Sequence, residues 1–63
     1  MSDFKERLVI EQKELEEKLT KLNDFNSSDK ADGIDPEQKS LLLIQAGAMY
    51  TYNEILKARL ERL

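Results

Sequence analysis

The sequence predicts an all-α fold: an antiparallel two-helix hairpin that assembles as a homo-oligomeric helical bundle. Three observations carry that expectation. Apolar residues recur at helical spacing along two long segments, with only two Gly and one Pro in the chain, and the one stretch rich in turn residues lies between them. The third is size. At 63 residues the chain falls below the roughly 70–80 at which a single core is adequate by itself. It has no Cys for disulfides and no His for a structural metal, so assembly is the remedy left.

The first helix is expected over about 3–25. Asp3 and Glu6 have capping-box spacing, and an acid there suits the positive end of the helix dipole. Phe4, Leu8, Leu15, Leu19 and Leu22 form one apolar stripe, with Glu11 or Gln12 as its polar gap. Asp3/Arg7, Glu14/Lys18 and Glu17/Lys21 stand four apart on the other faces, a spacing that supports a helix by about 0.2–0.5 kcal/mol per pair. Val9 and Ile10 point away from the stripe, either onto a second partner or into solvent.

A polar linker is expected over about 26–34. Asn26-Ser27-Ser28-Asp29-Lys30-Ala31-Asp32-Gly33 favours turn geometry over continued helix and can join antiparallel helices with slack to spare.

The second helix, expected over about 36–62, has the clearest start signal. Asp35 is the N-cap, Pro36 takes the first helical position, and Gln38 stands at capping-box spacing. Ile34 occupies the staple position but would meet Lys39. One stripe comprises Leu42, Ala46, Met49, Leu56, Leu60 and Leu63, interrupted by Asn53. A second, offset from it, comprises Leu41, Ile44, Ala48, Tyr52 and Ile55. The first helix is apolar on one narrow stripe and covers one of these, so the other needs a further neighbour, most simply another copy. The small run Ala46-Gly47-Ala48 reads as a close helix crossing, since a mid-helix Gly otherwise costs about 1 kcal/mol relative to Ala. The candidate oligomer interface is therefore Leu41, Ile44, Gly47, Ala48, Tyr52 and Ile55. Gln45 and Asn53 are read as amides that fix register between copies or sit at the rim.

Catalysis is not expected. Ser–His and Cys–His pairs are impossible, and Gly33 and Gly47 stand too far apart to form a phosphate loop. The carboxylates of the first helix alternate with Lys at ion-pair spacing, as on a solvated face. No catalytic residue, metal ligand or cofactor is assigned. A net charge of −3 argues against general nucleic-acid binding. Leu8-Val9-Ile10 is too short for a secretory signal, and no run approaches the ~20 apolar residues of a membrane span. A soluble protein of the cytoplasm is expected.

An antiparallel hairpin sets the start of the first helix beside the end of the second. Lys5 and Arg7 then approach Lys57, Arg59 and Arg62, with Phe4, Tyr50 and Tyr52 on nearby turns. Arg and Tyr together suit phosphate and base recognition, by bidentate hydrogen bonds and stacking. Lys5, Arg7, Tyr50, Lys57, Arg59 and Arg62 are the candidate ligand-binding residues. The alternative is that these bases complement the negative end of the second helix and lay their stems over the core. Asp3, Glu6, Glu54 and Glu61 dilute the cluster.

The first helix carries E-x-x-E-L-x-x-K-L-x-K-L-x-x-F from Glu11 to Phe25. The second carries L-L-x-x-Q-x-x-x-M-x-x-Y-x-x-I-L-x-x-R-L, with Leu41, Leu42, Gln45, Met49, Tyr52, Ile55, Leu56, Arg59 and Leu60 in its defined positions. Together they resemble a family of small uncharacterised helical proteins of tailed phages and prophages, of the crAss-phage-related type. That resemblance implies a phage accessory protein. More distantly, the chain is similar to the helical hairpin of phage sponges that sequester the cyclic nucleotide signals of CBASS and Thoeris immunity. Such sponges are oligomers that bind ligand between subunits through basic and aromatic side chains. No sponge motif matches residue by residue. Three readings follow: capture of a cyclic nucleotide between subunits, inhibition or remodelling of a host protein, and a structural or assembly role.

Overall fold

The computed structural model describes residues 2–63. The chain is all-helical: α1 spans Ser2–Asn26, a 3₁₀ turn spans Asp29–Gly33, and α2 spans Pro36–Glu61. No strand occurs among the described residues.

Each boundary has a local cause. The Asp35 side chain accepts a hydrogen bond from the Gln38 backbone N–H at 3.2 Å, and Pro36 sits in the first turn, where its missing N–H costs no helical bond. Asp3 does not cap α1, because the helix already includes Ser2; it lies inside the first turn and pairs with Arg7 at 3.8 Å. At the other end, Ser27 N–H reaches the Asn23 carbonyl, and the Ser28 hydroxyl donates to the Phe25 carbonyl at 2.7 Å. These serines take up carbonyls that the helix leaves open.

The linker is shorter of slack than its composition predicts. Its 3₁₀ turn buries Ala31 at 1% exposure, and Asp32 pairs with Lys39 of α2 at 2.7 Å. Asn26 adds a side-chain hydrogen bond to the Leu42 carbonyl. The turn is thus tied to the start of α2.

The two long helices form a rod of 47 × 14 × 13 Å, two helices wide and one helix long. Its core is Leu8, Leu15 and Leu19 of α1 against Ala46 and Leu56 of α2, with Leu22, Leu42, Met49 and Leu60 half-buried beside them. Leu56 is fully buried. The core stops short of both helix ends. Phe4 and Leu63, expected on the packed stripes, are 48% and 60% exposed.

The second stripe of α2 lies outside the core. Leu41, Ile44, Tyr52 and Ile55 are 52%, 68%, 46% and 55% exposed, and Ala48 is exposed between them. One neighbouring helix covers one arc of α2 and no more.

Candidate functional site

Two polar systems flank the core, one on each side of α2. On the first side, the polar gaps of the two inner stripes meet. Gln12 Nε2 donates to the Asn53 carboxamide oxygen at 3.1 Å, and Asn53 Nδ2 donates to Glu16 Oε1 at 3.2 Å. The same Glu16 oxygen also accepts from Gln12 at 3.2 Å and pairs with Lys57 at 3.1 Å. Asn53 is 3% exposed, and no buried side-chain polar atom lacks a partner among the described residues. This amide therefore sets the register of the two helices within one chain, where the sequence offered register between copies or a place at the rim. Hydrogen bonds from Asn53 and Lys57 hold the Glu16 carboxyl below the usual carboxylate range. The Glu16 carboxylate in turn raises the Lys57 ammonium above its ordinary value.

On the second side, Phe4, Arg7, Leu8 and Glu11 of α1 line a groove with Arg59 of α2, of about 350 Å³. Arg7 and Arg59 are brought here from opposite ends of the sequence by the antiparallel pairing. Glu11, an exposed residue of the lining, accepts a hydrogen bond from the Tyr52 hydroxyl. That bond, aided by desolvation, raises the Tyr52 phenol above its ordinary value, while the positive charge of Arg59 acts the other way. Tyr52 is in this way tethered at the groove edge.

A family model described as Sequestin matches residues 2–62. The chain belongs to the Sequestin family. The Sequestin match takes in both helices and the turn between them. No curated protein matches the chain, and no solved structure does.

The remaining candidate residues of this Sequestin chain are dispersed. Lys57 is engaged with Glu16 and Glu54 on the opposite side from the groove. Lys5 borders a separate shallow apolar groove with Glu6, Val9 and Ile10. Tyr50 is 58% exposed and points some 200° around α2 from Tyr52 at ~100° per residue, so the two tyrosines cannot share a ligand within one chain. Arg62 is exposed in the closing turn. A side chain at Gly47 would meet nothing within 4 Å, so the hairpin makes no close crossing there.

Glu16 has no role in the sequence pattern, and Glu11 and Gln12 appear there only as a polar gap; in the structure all three join the polar contacts beside the core. The usable signal was the pair of polar gaps. Each inner stripe has one interruption, and aligning Gln12 with Asn53 fixes the register that brings Glu11 to Tyr52 and Arg7 to Arg59. Among the described residues there is no group of three or more acidic, Cys or His side chains placed to hold a metal ion. No helix among them is long and apolar enough to cross a membrane.

Proposed function

We propose that this chain is a non-enzymatic phage accessory protein that self-assembles and sequesters a cyclic nucleotide immune signal at a pocket between copies, in the cytoplasm of an infected or lysogenic host. The observation that carries this reading is the convergence of Arg7 and Arg59 on one groove beside Phe4 and Tyr52. Two guanidinium forks recognise phosphate oxygens by bidentate, charge-assisted hydrogen bonds, and aromatic rings offer a base a stacking surface. The family's name, Sequestin, speaks of sequestering and supports a holding function over a chemical one. The groove of one chain is shallow and open, whereas small-molecule sites bury roughly 70–90% of their ligand. A second copy is what closes it.

A second reading rests on a different observation, the uncovered stripe of Leu41, Ile44, Tyr52 and Ile55. On that reading the chain uses the stripe to grip a host protein and holds no small ligand.

Calorimetric titration with a panel of cyclic di- and trinucleotides tests the first reading. Binding at micromolar affinity or tighter, weakened about 10–100-fold by Arg7→Ala or Arg59→Ala, is the expected result, since loss of a hydrogen bond to a charged group costs roughly 1.5–3 kcal/mol. Silence across the panel, with a folded oligomer, retires it in favour of the second.

A further inference from the structure

We propose that a second copy of this chain packs antiparallel along the outer stripe of α2, on a twofold axis beside Ala48, with Glu37 of each copy opposite Arg59 of the other. This inference rests on the self-assembly part of the proposed function and not on its ligand.

The outer stripe is symmetric in sequence. Leu41 and Ile55 lie seven residues on either side of Ala48, and Ile44 and Tyr52 lie four on either side. Glu37 and Arg59 lie eleven on either side. The steps between them alternate four and three outward from Ala48, the spacing of a helix–helix seam. In an antiparallel pair centred on Ala48, every residue meets its counterpart across the axis: Leu41 meets Ile55, Ile44 meets Tyr52, and Ala48 meets itself. A twofold interface demands such self-complementarity. A small residue at the axis lets the two backbones approach.

Charge selects the direction. Antiparallel pairing sets the Glu37 carboxylate against Arg59 twice, with Arg62 one turn away. Parallel pairing would set Glu37 on Glu37 and Arg59 on Arg59. The side chains needed are accessible in the hairpin: Glu37, Ala48 and Arg59 are exposed, and the four large apolar residues between them are about half exposed or more, Tyr52 with its hydroxyl held by Glu11.

Shape leaves room for such an occupant. The hairpin exposes 4997 Å², more than the ~4200 Å² of a compact monomer of 7.3 kDa, because it is a rod of 47 × 14 × 13 Å whose long side can take a partner helix. The proposed seam also bears on the groove, because Arg59 belongs to both. Glu37 of the second copy and an anionic ligand then compete for the Arg59 guanidinium.

The chain contains no Cys, so single cysteines report proximity without background. After mild oxidation or a short bis-maleimide treatment, Ala48→Cys is expected to cross-link to itself. Leu41→Cys is expected to cross-link only when mixed with Ile55→Cys. Glu37→Arg and Arg59→Glu are each expected to weaken self-association about tenfold, as two symmetric pairs turn from attraction to repulsion, and the double reversal is expected to restore it. Circular dichroism checks that each variant keeps its helices. An oligomer in which Leu41→Cys links to itself, or in which the double reversal fails to restore association, overturns this interface and leaves the sequestering reading standing. A folded monomer at tens of micromolar overturns the interface and the self-assembly together, and leaves the stripe to a partner of another sequence.

Discussion

Asn53, 3% exposed between the helices, receives a hydrogen bond at 3.1 Å from Gln12 Nε2 and passes one on to Glu16 at 3.2 Å. A polar side chain at the centre of an otherwise apolar seam is tolerated because both ends of its amide are used. It also discriminates, since sliding either helix by one turn would leave these groups unpaired among leucines. Asn53→Ala is expected to lower stability by about 1–3 kcal/mol, by removing two hydrogen bonds from the seam, one of them to a carboxylate, while Gln12 keeps its bond to Glu16. Urea unfolding at fixed protein concentration measures it. Fixing the concentration matters because self-association shifts apparent stability.

Leu56→Ala is the contrasting core change. The side chain is fully buried, and its loss is expected to cost about 2–5 kcal/mol. In a hairpin this small that is enough to remove the cooperative thermal transition. Leu43→Ala, at a position 54% exposed and off both stripes, is expected to stay within about 0.5 kcal/mol of the parent.

Gly47→Ala is expected to stabilise the protein by about 0.8–1 kcal/mol, the propensity gain of Ala over Gly in a helix interior. The added methyl meets nothing within 4 Å in the hairpin. Gly47 also lies about 100° around the helix from the proposed axis residue Ala48. A loss of stability or of association on this substitution would show that a neighbouring copy closes on Gly47 after all.

Acid should loosen the pairing of the helices through Glu16. Its folded value is depressed, first by the hydrogen bond from Asn53 and then by Lys57. Its contribution is therefore present above the unfolded carboxylate value of about 4.3 and is lost as pH falls through the lower folded value. Lys57 has the opposite sign. Its folded value is raised by Glu16, so its contribution is full below about 10.4 and fades as pH climbs through the higher folded value. Melting temperature followed from pH 2 to 7 should fall at the acid end, and Glu16→Gln should flatten that fall.

Salt provides a test of the groove that does not depend on knowing the ligand's sequence of bases. Binding carried by Arg7 and Arg59 should weaken steadily as ionic strength rises, because both guanidinium groups sit at an open surface. Binding carried by the apolar stripe should not. Titrations at low and high salt separate the two.

Much of the fold was legible in the chain because its determinants are local. Periodic leucines, the Asp35–Pro36 start and the scarcity of Gly and Pro specify helices whatever surrounds them. The two-stripe pattern of α2 was equally legible, and with it the excess of apolar surface over what α1 can cover. The site was less so. Lys57 and Arg59 look alike in sequence, two positions apart on one helix. Yet a 200° rotation sends one to Glu16 and the other to the groove with Arg7.

What the sequence determined by itself was helical content, the place of the turn, and an amphipathic pattern too wide for one neighbour, because propensity, capping and periodicity act over a few residues. What only the tertiary structure decided was which polar groups meet: Asn53 with Gln12, Tyr52 with Glu11, and, among the bases expected at that end, Arg7 beside Arg59 while Lys57 goes to Glu16. Those pairs span some forty residues or more of chain. Their meeting depends on the register at which the two helices dock, and that register follows from packing leucines and satisfying one buried amide together.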